Sequence, residues 1–276
     1  MPELPEVETV VQDLLKAGIA GSFISDAKVA CPKVIAELTA EEFLKNIINR
    51  KIITVSRRAK FIVFTLDGQF SLLIHLRMTG HLFLKQSDSV LEKHEHIALI
   101  FNDGRHLTFW DMRGFGRIYL TKTPQKLLSH LGVEPLEKAF SLKYLERGLQ
   151  SRRKIKPLLL DQSFICGIGN IYADEALWQA GIHPETSSNT LDKKQQKNLH
   201  AAIIEILKNA IANRGTSLNM ERSNFSSIDA SFGKNSNFLK THNRKDLPCY
   251  RCKTKIIKIK VAQRGTYLCP NCQNHS

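Results

Sequence analysis

The chain has 276 residues, 42% of them hydrophobic, and a formal net charge of +14. That length allows one large or two to three smaller domains with real cores, and the charge points to a polyanion, either nucleic acid or an acidic membrane surface. No apolar run approaches the ~18–20 residues of a membrane span, and Glu3, Glu6 and Glu8 precede the first Lys or Arg, so no secretory signal is expected.

A helix is predicted from the very start. Val7, Val10, Val11, Leu14 and Leu15 fall on one helical face, Pro5 suits a first turn, and Gly18 is a stop. Glu6 and Glu8 sit at the positive helix end. Two readings fit these residues. One is an ordinary capped helix with acids in its first turn. The other needs Met1 removed, so that Pro2 carries a free secondary amine. An α-amine titrates near ~7.7–8.0, so an appreciable fraction is neutral and nucleophilic at physiological pH. Glu3 then stands beside it as an acid or base.

After Gly18, strand signals appear at Ile52–Arg58, Lys60–Leu66, Phe70–Leu76, His96–Phe101, His106–Asp111 and Gly116–Leu120. Asp67-Gly68 and Asn102-Asp103-Gly104 mark hairpins, and Glu41–Ile48 marks a short helix. Residues 1–130 read as a mostly antiparallel β domain with a leading helix. Spacing alone does not separate sandwich from barrel.

Helical signals then take over across 131–237. Ser141 caps a helix through Leu149; further helices are predicted at Ile155–Asp161, Ile171–Ala180 and Lys193–Asn213, the last ending at Gly215. Between them lies the Gly-containing stretch Gly167-Ile168-Gly169-Asn170. Residues 216–237 are rich in Ser and Asn and read as a mobile loop.

In the tail, 238–276, Cys249-x2-Cys252 and Cys269-x2-Cys272 form two CxxC knuckles sixteen residues apart, the pattern of a four-cysteine structural zinc site. Cys31 and Cys166 read as buried apolar thiols, and this cysteine usage predicts a reducing cytoplasm. From Lys234 to Ser276 there are ten Lys or Arg and one acid, Asp246. A ribbon so basic, with Lys253, Lys255, Lys258, Lys260 and Arg264, is expected to touch phosphate as well.

The whole chain resembles the formamidopyrimidine-DNA glycosylase family, which includes endonuclease VIII. The likeness rests on Pro2-Glu3-Leu4-Pro5-Glu6-Val7-Glu8-Thr9, His75-Leu76-Arg77-Met78-Thr79-Gly80 and Asp111-Met112-Arg113-Gly114-Phe115-Gly116. Further along it rests on Leu160-Asp161-Gln162, on Gly167 through Glu175, and on the ribbon with Arg264-Gly265-Thr266. The resemblance implies an α+β multidomain protein: an N-terminal β-sandwich, a helix–two-turn–helix domain and a zinc-ribbon finger. It implies a monomeric, cytoplasmic enzyme of base excision repair, associated with the nucleoid through its DNA. Its partner would be double-stranded DNA with oxidised bases or abasic sites, and its cofactor one structural Zn2+ held by Cys249, Cys252, Cys269 and Cys272.

By the same resemblance, Pro2 attacks C1′ of the deoxyribose, Glu3 moves protons at the sugar, and Lys60 and Arg264 grip phosphate beside the lesion. Met78, Arg113 and Phe115 match wedge residues that enter the base stack when a nucleotide is flipped out. His94, Lys156 and Asn170 match DNA-contacting positions, and Gly167 and Gly169 would let backbone N–H groups approach phosphate. Glu6 matches an active-site carboxylate. The chain departs from the pattern at Ala59, where Gly is usual, and at His242-Asn243-Arg244, where Tyr-Gly-Arg is usual. The Ser217–Phe238 loop matches only loosely. Three readings follow: a bifunctional glycosylase/lyase for oxidised purines, an endonuclease VIII type for oxidised pyrimidines, and a noncatalytic DNA-binding zinc protein.

Overall fold

The computed structural model describes residues 1–86, 91–218 and 225–274. Packing divides the chain into two units, Met1–Ser129 with Asn213–Lys234, and His130–Ala212 with Asn235–Ser276. These boundaries differ from those composition suggests at 130 and 237. The Ser- and Asn-rich stretch joins the first unit because Phe225 and Ile228 are buried in its core. The Cys-rich tail joins the helices because Trp178 packs with Cys249, Ile256 and Cys269 in one small cluster.

The first unit opens with α1 (Leu4–Lys16), followed by β1 (Ile24–Val29), β2 (Ile35–Ala36) and α2 (Ala40–Ile47). Val7, Val10, Val11 and Leu14 are buried as their spacing requires; Leu15, counted on the same face, is instead 46% exposed. Gly18 takes a left-handed φ of 67° just past the helix, a conformation that costs glycine little. α2 carries a capping box: the Thr39 hydroxyl accepts from the Glu42 N–H, and the Glu42 carboxylate accepts from the Thr39 N–H.

Then come β3 (Ile52–Arg58), β4 (Phe61–Leu66), β5 (Ser71–His75), β6 (Gly80–Lys85), β7 (Glu95–Phe101), β8 (His106–Asp111), β9 (Arg117–Thr121) and a short α3 (Pro124–Leu128). They form two sheets, ordered β1-β7-β8-β6 and β2-β9-β5-β4-β3. All pairings are antiparallel except β2 with β9. Side chains from both sheets share one core, among them Phe64, Leu72 and Ile118 from one and Leu82, Ile97, Leu99 and Phe109 from the other. The domain is therefore a sandwich. Both expected hairpins form, with Gly68 and Gly104 left-handed in their turns.

In the second unit lie α4 (Leu142–Gly148), α5 (Ile155–Leu159), α6 (Asn170–Ala180) and α7 (Lys193–Ala212), then the hairpin β10 (Ile257–Val261) and β11 (Arg264–Leu268). Ser141 caps α4 by accepting from the Tyr144 N–H at 3.2 Å. Among the described residues, no helix is long and apolar enough to cross a membrane.

The mobile-loop reading of 216–237 needs correction at its ends; residues 219–224 lie outside the described residues. Thr216, Ser217, Phe225, Ser226, Ser227 and Ile228 are buried. Ser217 Oγ donates to the Phe225 carbonyl at 2.7 Å, and Ser227 Oγ donates to Asp13. Ser217 and Ser227, polar residues of a stretch that reads as a solvated loop, spend their hydroxyls on internal hydrogen bonds.

Candidate active site and nucleic-acid interface

Pro2 and Glu3 are both buried, directly before the first turn of α1. Burial of a charged residue type needs partners, and the helix start provides them. The Glu6 carboxylate accepts from the Glu3 N–H at 2.7 Å and from the Thr216 N–H at 2.8 Å. Glu6 thus braces the segment that carries Pro2 and Glu3. A Cβ on Gly215 would come within 3.0 Å of the Glu6 side chain, and its φ of 76° also favours glycine.

Lys60 is buried as well. With Ala59 it forms the two-residue loop joining β3 to β4, in which Arg58 pairs with Phe61. Ala59 is left-handed at φ 52°, where glycine is at home. Arg57 fastens this loop, donating to Glu8 at 2.9 Å and to the Ala59 carbonyl at 3.1 Å.

The Met1 side chain is about half exposed, yet its α-amine is sunk among these groups. Burial, the largest cause, pushes that amine below its ordinary value. Glu3 and Glu6 oppose the shift and Lys60 assists it. From sequence, the two acids and Lys60 leave the direction undecided. For the Met1 amine, desolvation outweighs the two acids and favours the neutral form.

His75 ends β5, opposite Phe61. Its Nδ1 accepts from the Arg77 N–H at 3.0 Å, and its ring meets Phe61 edge-on at 4.8 Å. Burial first, then Arg77 and Lys60, push its pKa down to about 3. A neutral imidazole therefore neighbours the Lys60 ammonium. His75 opens the His75–Gly80 motif, but its spacing in the sequence carries no signal of this role.

Met78 and Phe115 are 43% and 48% exposed, so neither packs the core. The Arg113 guanidinium lies 4.7 Å over the Phe115 ring and contacts Met78 Sδ at 3.4 Å. The three expected wedge residues are thus brought together on the surface. His94, left-handed at φ 72°, sets its ring edge-on to Trp110 at 5.7 Å.

The second unit corrects one expectation outright. Lys156 is 0% exposed. Its ammonium donates to Asp174 at 2.6 Å, to Thr266 Oγ1 at 2.8 Å and to the Gly265 carbonyl at 3.2 Å. It holds the hairpin from inside and has no face for phosphate. Asp174 also takes His242 Nδ1 at 2.7 Å, one of the positions where the chain departs from the family pattern.

The Asn170 amide likewise donates inward, to the Gly265 carbonyl at 2.9 Å. The Gly167 N–H goes to Gln162 at 2.9 Å, which explains the Leu160-Asp161-Gln162 motif as a turn brace. Arg264 alone of this set is exposed. It leaves a two-residue turn in which Ala262 and Gln263 are both left-handed.

The Sγ atoms of Cys249, Cys252, Cys269 and Cys272 all lie within 4.8 Å of one another. Tetrahedral Zn–S bonds of about 2.3 Å place sulfurs roughly 3.8 Å apart, and Cys249–Cys272 at 3.9 Å and Cys252–Cys269 at 3.4 Å fit that ion. The four thiolates hold one structural zinc, whose service is to close the ribbon. Trp178 Nε1–H donates to Cys249 Sγ at 3.4 Å, orienting a ligand from α6.

Three family models match in chain order: the formamidopyrimidine-DNA glycosylase N-terminal domain over residues 1–118, its H2TH domain over 131–222, and the zinc finger found in FPG and IleRS over 246–274. A formamidopyrimidine-DNA glycosylase of Protochlamydia amoebophila is 40% identical, covering 99% of both chains. Lactococcus lactis Fpg, solved in complex with DNA containing an abasic site, is 38% identical with a TM-score of 0.91 over 99% of this chain and 100% of that one. The same protein on Fapy-dG DNA gives 38% and 0.90, and on oxidised-pyrimidine DNA 39% and 0.90, at the same coverage. The chain belongs to the formamidopyrimidine-DNA glycosylase family. It is a DNA glycosylase acting in base excision repair of oxidised bases.

Proposed function

We propose that the protein removes oxidised purines, 8-oxoguanine and formamidopyrimidines, from double-stranded DNA and then cuts the abasic strand, with the Pro2 nitrogen as nucleophile. The observation that carries this reading is the buried N-terminal corner, which brings Pro2 and Glu3 together with Lys60. In the chain that still carries Met1, burial lowers the pKa of the terminal amine at that corner, with Lys60 assisting. Removal of Met1 leaves a secondary amine on Pro2. Its lone pair forms a bond to C1′ while the bond from C1′ to the base breaks, and the base leaves with that electron pair and a proton. Glu3 protonates O4′ as the sugar ring opens, giving an iminium between Pro2 and C1′. Loss of a C2′ proton expels the 3′ phosphate, a second elimination expels the 5′ phosphate, and water frees the amine.

Reaching C1′ requires the nucleotide to leave the stack, at a cost of a few kcal/mol. Met78, Arg113 and Phe115 fill the gap. Lys60 and Arg264 hold phosphates beside the lesion, and His94 adds a DNA contact. The Arg113-x-Phe115 pair and the full-length Ser217–Phe238 segment support the purine reading. A second reading, oxidised pyrimidines, draws support from the Lactococcus lactis relative solved on such DNA.

The test is borohydride added during reaction with duplexes that each carry one defined lesion. An adduct on the Pro2 nitrogen is expected, with 8-oxoguanine and formamidopyrimidine as the best substrates. Retaining Met1 should abolish trapping and spare DNA affinity. Glu3→Gln should slow base removal more than cleavage of a preformed abasic site. An adduct on Lys60 would reassign the nucleophile, and no adduct on any duplex would favour a noncatalytic DNA-binding protein.

A further inference from the structure

We propose that Asp111 is the positioning residue that locks the two wedge-bearing turns into one rigid tool, a role that rests on the glycosylase reading above. Asp111 ends β8 and is 0% exposed. In the register of β6 with β8 it stands opposite Gly80, so the turn carrying Met78 abuts the turn carrying Arg113 and Phe115. Its carboxylate faces donors from both. One oxygen accepts from Thr79 Oγ1 at 2.5 Å and from the Arg113 N–H at 3.2 Å. The other accepts from the Gly116 N–H at 2.7 Å.

The backbone of Asp111 extends the same network. Its N–H donates to the His94 carbonyl at 2.9 Å, and its own carbonyl accepts from His96 Nε2 at 2.7 Å and the Gly114 N–H at 3.3 Å. One residue is therefore bonded next to, or directly to, Met78, Arg113, Phe115 and His94. The glycines make this closeness possible. A Cβ on Gly80 would strike the Leu76 carbonyl, and one on Gly116 would strike Phe109 and lie 3.2 Å from the Asp111 carboxylate.

Exposed side chains on two separate turns lose rotamer freedom when they insert. Bases stack about every 3.4 Å along a strand, so a tool that drifts by an ångström misses the gap. A buried carboxylate with several N–H and O–H donors is the strong, directional restraint such turns need. Asp111 touches no reacting atom; it acts through Met78, Arg113 and Phe115.

The experiment compares Asp111→Asn with the parent on two substrates: a duplex with 8-oxoguanine opposite cytosine, and a single-stranded oligonucleotide with an abasic site, which has no stack to fill. Asn keeps the size but turns an NH2 towards one donor. Excision from duplex should fall about 10- to 100-fold, from the loss of charge-assisted bonds. Single-strand cleavage should stay within about twofold of the parent, the spread expected where the wedge has no part. A 2-aminopurine beside the lesion should lose its fluorescence rise on binding. Thr79→Val, which removes one donor and keeps the shape, should show the same split at roughly fivefold, even if the Asn variant folds poorly. Equal losses on both substrates, or none on duplex, would overturn the assignment. A parent protein inactive on both would instead fell the glycosylase reading, and Asp111's role with it.

Discussion

Glu6 and Thr216 are joined across 210 positions of sequence by one hydrogen bond of 2.8 Å. The same carboxylate holds the Glu3 N–H. Its contribution is therefore both to stability and to where Pro2 points.

Glu6→Gln keeps one acceptor and sets an NH2 against the other donor. A loss of about 1.5–3 kcal/mol is expected, as for bonds to a charged group. Gly215→Ala adds a left-handed Cβ against Glu6 and should cost about 1–2 kcal/mol. Thermal or urea denaturation measures both. A Gln variant as stable as the parent would mean that Glu6 is not the brace described.

Ala59 sits at φ 52° in the loop that presents Lys60. Ala59→Gly removes that strain but loosens the unfolded chain, and the left-handed term is the larger. The variant should gain about 0.5–1 kcal/mol, read as a raised denaturation midpoint with strand cleavage unchanged.

His75 gives the first unit a proton-linked weakness. Its folded pKa, about 3, lies below the unfolded value of 6.5. Between those values the unfolded chain binds a proton that the folded chain refuses. Its stabilising contribution is thus complete above pH 6.5 and is lost as pH falls towards 3. His75→Gln should flatten the stability–pH curve in that window by about one proton, roughly 1.4 kcal/mol per pH unit. Curves that superimpose would refute it.

Lys156 and Arg264 should separate cleanly. Arg264→Ala is expected to reduce the slope of log K against log[salt] by about one, with little change in stability. Lys156→Met should leave the slope nearly intact. It removes the buried ammonium that pairs with one oxygen of Asp174, whose other oxygen keeps His242, so it should destabilise the second unit by about 3–5 kcal/mol.

Zinc removal should be visible at Trp178, whose indole N–H bonds Cys249 and whose ring carries Arg251 at 4.0 Å. Chelation, or Cys249→Ser, should red-shift its emission and weaken DNA binding. With Trp110→Phe, Trp178 is the only indole left. An unchanged spectrum in metal-free protein would argue against the coupling.

Legibility followed sequence distance. The helix at the N-terminus, the hairpin at Asn102-Asp103-Gly104 and the CxxC pairs declare themselves because spacing alone encodes them. β1 was hidden because its Ser, Asp and Ala carry little strand preference, and β6 because it opens on Gly80-His81. Lys156 looks like a surface cation until Asp174, 18 residues away, and Thr266, 110 away, are found beside it. Asp111 bonds Thr79 across 32 positions, although its Asp-x-x-Gly pattern does signal a turn. Desolvation of the terminal amine has no sequence signal at all.

The assignment of Asn213–Lys234 to the first unit has a consequence on the ribosome. When residue 129 has emerged, the β-sandwich still lacks Phe225, Ile228 and the Thr216 N–H, which arrive on the order of 5–20 s later at about 5–20 residues per second. Until then its core lacks those two side chains, and the Glu6 carboxylate has the Glu3 N–H but not the Thr216 N–H. Nascent chains stalled in that interval should bind hydrophobic-surface chaperones, and release should coincide with the emergence of residue 234 rather than residue 129.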